Sequence, residues 1–346
     1  MKVAVITDQH FGARKNSKLF HDFFLKFYNE VFFPTLEAQN ITCVIDMGDT
    51  FDSRKGIDFS ALSWAKENYY DRLRQMGVTV YTVVGNHTAY YKNTNNINAI
   101  ELLLREYDNI VPVSTFKEVE IDGLDVSLVA WITEDTQEEV LKKISKSKSK
   151  VAFGHLELQG FKANHGIWME HGMDRNVFSR YDKVFSGHYH HRSHQDNVNY
   201  LGNPYEMYWN DAGDVRGFHI FDTETLDHTP INNPFTIFHT VYYEDTPYQL
   251  FDATECSGKI VKVVVRKKSD EVGFEKFIDK LFSVNPAEVK IVENFNVIEN
   301  DDFEAFESED TLAILSRYID ESDTQVDKSA VKNLISSIYQ EACEVE

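Results

Sequence analysis

The sequence predicts an α/β protein: a two-sheet sandwich flanked by helices, followed by a small α/β unit and a closing helix pair. Three observations carry this expectation. The first third alternates short apolar runs with stretches of helical periodicity, the rhythm of βαβ units. From about residue 116 strand-like runs dominate, which calls for a second sheet packed on the first. After about residue 245 the alternation restarts on a smaller scale.

Lys2–Thr7 reads as a buried strand, and Lys18–Ala38 as a helix because Leu19, Phe23, Phe27 and Val31 recur every four residues. Thr42–Met47 is a second strand. Phe59–Met76 is helical by the spacing of Leu62, Ala65, Tyr69 and Leu73, and Val78–Val84 is a third strand. Asn95–Tyr107 is expected to be helical. Strands are expected at Phe116–Ile121, Asp125–Trp131, Lys150–Phe153, Lys183–Ser186, Val198–Leu201 and Gly217–Phe221. The small unit comprises strand Lys259–Val265, helix Gly273–Phe282 and strand Val289–Val292. The acidic stretch Glu299–Asp310 has little to bury and reads as a linker. Two apolar stripes close the chain: Leu312, Leu315 and Ile319, then Val331, Leu334, Ile335, Ile338 and Ala342 behind a capping box from Thr324 to Asp327. The expected boundaries are 1–245, 246–298, 299–310 and 311–346.

With 346 residues and 42% hydrophobic content, the chain is long enough for one large core and a smaller one. No segment approaches the roughly 18 apolar residues of a membrane span, and Met1–Thr7 enters a strand without a signal-peptide pattern. A cytoplasmic location is expected. Cys43, Cys256 and Cys343 stand far apart, so neither a disulfide framework nor a cysteine metal site is indicated. A net charge of -21 argues superficially against a nucleic-acid partner, but 14 acidic against 3 basic residues lie from Asn296 onward. Bound divalent cations would neutralise several of the remaining acids.

Five short motifs fall at the ends of expected strands: Asp8-Gln9-His10, Gly48-Asp49-Thr50-Phe51-Asp52, Gly85-Asn86-His87, Gly154-His155 and Gly187-His188-Tyr189-His190. Ligands of α/β sheets bind beyond the carboxyl ends of strands, so all five can converge on one cleft. In extended backbone, residues two apart point the same way, which lets Asp8 with His10, or His188 with His190, grip one centre. Carboxylates, imidazoles and an amide without a thiolate suit divalent manganese, iron or zinc, and magnesium less well.

This series resembles the calcineurin-like metallophosphoesterase superfamily over about Met1–Val241. Within it the chain is similar to the Mre-eleven/SbcD-type nuclease subunit of double-strand-break repair complexes, and more narrowly to the recombination endonuclease subunits of T-even bacteriophages. The supporting residues include Asp49-Thr50-Phe51-Asp52-Ser53-Arg54-Lys55, Val83-Val84-Gly85-Asn86-His87, Phe185-Ser186-Gly187-His188, Gly202-Asn203-Pro204 and Arg216-Gly217-Phe218. The resemblance implies two metal ions, manganese before magnesium: one held by Asp8, His10, Asp49 and His190, the other by Asp49, Asn86, His155 and His188. It implies that His87 protonates or stabilises the leaving oxygen and that the Asp52 carboxylate orients its ring. It implies 3′-5′ exonuclease and single-strand endonuclease activity on DNA, a homodimer and an SbcC-type coiled-coil ATPase partner. It also implies a capping domain at 246–298, an ATPase-binding helix pair and, for a phage-encoded chain, the host cytoplasm. One departure stands out: the family usually has an acid after Gly-Asn-His, where this chain has Thr88.

Arg14, Lys15, Arg54, Lys55 and Lys92 follow the metal motifs and are candidates for a DNA-binding rim, with Tyr90 and Tyr91 able either to stack on an unpaired base or simply to pack. Lys142, Lys143, Lys146, Lys148 and Lys150 read as a solvated helix end and loop, and His165, His171, His191 and His194 as solvated or structural. Ile97, Ile100, Leu102, Leu103 and Leu104 surround their helix more fully than one buried face requires, which suits either a twofold partner or deep burial. Rival functions are a phosphatase or small-nucleotide phosphodiesterase on the same centre, and a non-catalytic DNA-end scaffold. Ser53 stands where a serine/threonine phosphatase of this superfamily would be expected to carry Arg.

Overall fold

A computed structural model describes residues 1–164, 167–244, 247–266 and 270–293, with 319, 328, 331, 332, 334 and 335. The chain divides into two compact units, Met1–Glu293 and Asn294–Glu346. In the first unit, one six-stranded sheet runs His228–Asn232, Gly217–Asp222, Lys2–Ile6, Cys43–Asp46, Thr79–Val83, Ile110–Val113. Its last four strands are parallel, so their carboxyl ends share one edge. The second six-stranded sheet runs Ser193–Gln195, Val198–Tyr200, Lys183–Gly187, Val151–His155, Leu124–Val129, Phe116–Ile121. Lys183–Gly187 is parallel to Val151–His155, which brings the two Gly-His motifs to one end.

Central strands are apolar almost throughout because both faces are covered. Between the sheets, Phe153 and Phe185 stack at 5.1 Å and meet Phe221 of the first sheet at 5.2 and 5.6 Å. The outer helical layer packs through Phe20, Phe24 and Phe27, four and three residues apart, with Phe24 stacked on Tyr205 at 3.8 Å.

Both long helices form where expected, and each is interrupted by a π turn: Lys18–Phe27, Tyr28–Phe32, Phe33–Ala38, and Phe59–Ala65, Lys66–Tyr70, Asp71–Gln75. In the first, the Phe33 N–H reaches back five residues to the Tyr28 carbonyl. Pro34 follows with no N–H for the Glu30 carbonyl, so the wider turn costs less here than elsewhere. The expected helix Asn95–Tyr107 contracts to Ala99–Leu103. Its start is set by Asn98, whose side chain accepts from the Glu101 N–H, while the Asn95 amide is tied to the Ser114 and Trp131 carbonyls.

The strands Ile110–Val113, Ser193–Gln195, His228–Asn232 and Phe238–Tyr242 were not expected from sequence, and the helix Gln137–Lys146 was expected only as the helix end among its lysines. Pro112 and Pro230 lie in two of these strands, and both strands are sheet edges, where a missing N–H is tolerated. Phe238–Tyr242, Ile260–Val265 and Glu288–Glu293 make a parallel three-stranded sheet covered by helix Glu271–Phe282. This small sheet therefore begins before residue 245. In the second unit, Ile319, Val331, Leu334 and Ile335 are helical, Ile319 buried and Leu334 exposed. The stretch 299–310, the capping box at 324–327, Leu312, Leu315, Ile338, Ala342, Cys343 and His165 lie outside the described residues. Among those described, no helix is long and apolar enough to cross a membrane.

Candidate metal centre

The loops after the first two strands lie side by side. Asp8 N donates to the Gly48 carbonyl at 2.9 Å, His10 N to Asp49 O at 2.9 Å and Phe11 N to Thr50 O at 2.8 Å. Four side chains that face the centre sit on left-handed backbone: Asp8 (φ 53), His10 (φ 46), Asp49 (φ 49) and His188 (φ 86). Non-glycine residues there cost roughly 1–3 kcal/mol each and persist only where the surroundings hold them. The neighbouring glycines are needed for space. A Cβ on Gly85 would stand 2.2 Å from Asp49 Oδ1, and one on Gly187 would stand 1.9 Å from Thr7 Oγ1 and 2.8 Å from Asp8 Oδ2.

Three clusters result, each with its donor atoms within 4.8 Å of one another: Asp8, His10 and His190; Asp49, His155 and His188; His10, Asp52 and His87. His155 Nδ1 donates to the Met47 carbonyl at 2.9 Å, which leaves Nε2 for Asn86 Oδ1 at 3.0 Å and Asp49 Oδ2 at 3.1 Å. His188 Nδ1 lies 3.1 Å from the same Asn86 oxygen. His10 Nδ1 donates to Asp52 Oδ1 at 3.0 Å, leaving Nε2 only 3.3 Å from His190 Nε2. Asp8 Oδ1 is 4.0 Å from both of those nitrogens. Ring nitrogens and carboxylate oxygens converging in this way fit a divalent cation, and the Asp52–His10 pair is the carboxylate–histidine arrangement that sharpens a metal ligand.

Burial and neighbouring charge act differently on the individual candidate ligands. Burial pushes the Asp8 carboxyl up, the His188 ring down to about 3 and the His190 ring well below its usual range. Both imidazoles are thus neutral, as metal ligands must be. Burial also opposes charge on Asp49 and His155. Their mutual attraction outweighs it, holding Asp49 well below the carboxylate range and lifting His155 to about 9. A proton on His155 and a cation beside Asp49 neutralise the same carboxylate, so binding of one displaces the other.

One expectation is corrected. The Asp52 carboxylate meets His10, and His87 Nδ1 instead meets the Asp52 backbone carbonyl at 2.6 Å. The cause is main-chain: Asp52 N donates to Phe11 O at 3.2 Å, which draws Asp52 beside the His10 loop. Thr88 Oγ1 accepts from Gly85 N at 2.9 Å and donates to Gly85 O at 3.1 Å, so it closes the Gly85–Thr88 turn.

Of the rim candidates, Arg14, Lys15, Lys55, Tyr91 and Lys92 are exposed, the first two on a left-handed turn. Arg54 is half-buried and its Nε donates to the Asn86 carbonyl at 2.9 Å, so it braces a motif loop. His191 pairs with Asp214 at 2.7 Å, His194 Nδ1 meets Val198 O, and Lys143 pairs with Glu139 at 2.5 Å, in keeping with structural or solvated roles. Sequence reasoning passed over Asp46, Gln9, Tyr28 and Tyr205, which form a buried hydrogen-bonded group beneath the motif loops. A carboxylate inside the apolar strand Cys43–Asp46 was the available signal.

Residues 1–192 match the calcineurin-like phosphoesterase family, and the chain belongs to it. It is a metal-dependent phosphoesterase on that family's two-sheet α/β fold. Exonuclease subunit 1 of Enterobacteria phage T4 is 29% identical over 347 residues, which span 99% of this chain and 99% of that protein. Among solved structures, a novel archaeal phosphodiesterase aligns with 67% of this chain and 100% of its own at 14% identity and a TM-score of 0.35. A hypothetical protein from Thermus thermophilus aligns with 67% and 97% at 16% identity and a TM-score of 0.36.

Proposed function

We propose that this chain is a manganese-dependent DNA nuclease, a 3′-5′ exonuclease and single-strand endonuclease that works with an SbcC-type coiled-coil ATPase in double-strand break processing and recombination. The observation that carries this reading is the span of the similarity to the phage exonuclease subunit. It covers 99% of both chains, well past residue 192 where the phosphoesterase match ends. A minimal phosphatase has no use for the small parallel sheet and the helical segment beyond it.

Asp8, His10, Asp49 and His190 hold one ion, and Asp49, Asn86, His155 and His188 the other. When bound, such ions activate water and stabilise charge developing at phosphorus. His10 is held by Asp52 and His155 by Met47 O, so each presents Nε2 to the centre. His87, with Nδ1 anchored on the Asp52 carbonyl, supplies a proton to the leaving oxygen through its other nitrogen. Arg14, Lys15, Lys55 and Lys92 meet phosphates, and Tyr91 stacks on an unpaired base. A homodimer forms through Ile97 and Leu102, which are 44% and 54% exposed, whereas Ile100 and Leu104 are buried. The ATPase is recruited by helices within 311–346.

The test compares duplex DNA, single-stranded DNA, a phosphopeptide and a bis-aryl phosphate as substrates with manganese. Cleavage of single-stranded DNA well above the phosphopeptide rate is expected. Efficient turnover of the phosphopeptide with none of DNA would move the chain to the phosphatases, and no turnover of any substrate would favour a scaffold.

A further inference from the structure

Asp46 is a fully buried carboxylate on a strand otherwise made of Cys43, Val44 and Ile45. Its Oδ1 accepts from Gly48 N at 3.2 Å, and its Oδ2 accepts from Thr50 Oγ1 at 2.8 Å and Gln9 Nε2 at 3.0 Å. Gly48 and Thr50 flank Asp49, and Gln9 stands between Asp8 and His10. One carboxylate therefore grips the neighbours of three residues that lie on left-handed backbone. Gln9 is held from the other side as well: its Oε1 accepts from Tyr28 at 2.5 Å, and its carbonyl accepts from Tyr205 at 2.6 Å. Tyr28 opens the π turn of the first long helix and Tyr205 stacks on Phe24, so the grip is anchored in the helical layer.

Burial leaves Gln9 no water to turn to, since it is 0% exposed. With its side-chain bonds removed, Gln9 keeps only the Tyr205 contact to its carbonyl, and Asp8 and His10 are held on left-handed backbone by the main-chain bonds between the loops and by the contacts of their own side chains to Thr7, His188 and Asp52. The Asp49 loop keeps its two contacts to Asp46 whatever happens to Gln9. We propose that Asp46 and Gln9 are positioning residues for the metal centre, and that Gln9 governs occupancy of the position formed by Asp8, His10 and His190 without governing the position formed by Asn86, His155 and His188. The inference rests on the two-ion reading above.

The substitutions are Gln9→Met, which keeps length and loses both side-chain bonds, and Asp46→Asn. The asparagine still offers an acceptor to Gly48 but sets an amide N–H₂ against the Gln9 donor. Manganese uptake by the full-length protein is followed by electron paramagnetic resonance and calorimetry, with His190→Ala marking the first position and His155→Ala the second. Thermal melts without metal check the fold. Gln9→Met is expected to weaken the first ion about tenfold, the lower end of the effect of removing partners behind metal ligands, and the second by less than about twofold, whereas Asp46→Asn, which also disturbs the grip on Gly48 and Thr50 around the shared Asp49, is expected to weaken both. Equal weakening of both ions by Gln9→Met, or wild-type affinity for both ions in either variant, overturns the proposal. Should Asp46→Asn fail to fold, Gln9→Met alone decides. A wild type that binds fewer than two manganese ions refutes the two-ion reading itself, a result distinct from a variant that fails to discriminate between them.

Discussion

Replacing His87 by alanine should separate proton delivery from metal holding. The ring is half-buried, its Nδ1 spent on the Asp52 carbonyl at 2.6 Å, and its edge meets His10 at 4.9 Å between ring centres. What His87 gives the metal cluster is a main-chain bond: its N–H donates to Asp49 Oδ1 at 2.8 Å, and alanine retains that donor. Both ions should therefore stay bound. A positioned general acid contributes roughly 10² to 10⁴ in rate, which is about 2.7 to 5.4 kcal/mol at 1.36 kcal/mol per tenfold. A nucleotide leaving group needs that proton, whereas an aryl oxide leaves readily without it. Single-turnover cleavage of a single-stranded oligonucleotide should fall by about 10² or more, and hydrolysis of a bis-aryl phosphate by less than about tenfold. Manganese content is measured on the same samples. Equal losses on the two substrates, or an emptied metal position, would refute the acid role.

Leu102→Asp should convert a dimer to a monomer in light scattering at micromolar concentration, whereas Leu104→Asp, at a position only 3% exposed, should depress stability instead. A monomeric wild type would end the dimer proposal. His219 is 4% exposed, and burial, with Arg192 and His228 nearby, holds its pKa down at about 2 against about 6.5 when unfolded. A depressed histidine favours the native state fully only above the unfolded pKa, and the benefit drains away as pH falls below about 6.5. Between pH 7 and 5 this amounts to about 2 kcal/mol, so urea unfolding of His219→Leu should show a correspondingly shallower acid loss than wild type. Truncation after Asp310 should spare manganese-dependent cleavage of short single strands and abolish co-purification with the ATPase; full recovery of the ATPase places its docking surface elsewhere.

The α/β class and the convergence of five motifs were legible because both depend on local pattern: apolar runs make strands, and the chemistry sits where the runs stop. The edge strands Ile110–Val113 and His228–Asn232 were illegible because Pro112 and Pro230 argue against a strand unless its edge position is known. Asp52 shows a different limit. The family resemblance implied that it orients His87, and a main-chain bond between Asp52 and Phe11, absent from any pattern of residue types, places its carboxylate against His10 instead. The Asp46 network was hidden for the same reason, since Gln9, Tyr28, Asp46 and Tyr205 meet only in three dimensions. Leu104 and Leu102 differ in burial by which way a short helix faces, and that helix is shorter than its apolar run suggested.

Gly187 belongs to the second sheet, and the atoms that forbid it a side chain, Thr7 Oγ1 and Asp8 Oδ2, belong to the end of a first-sheet strand. The two halves of the sandwich are thus gauged against each other across a gap narrower than one methyl group. A slip of either sheet would register first as a misplaced Asp8, long before the aromatic layer between the sheets lost its packing. Catalytic competence in this protein is for that reason a finer measure of alignment than stability is, and Gly187→Ala is the smallest wedge with which to drive the two apart.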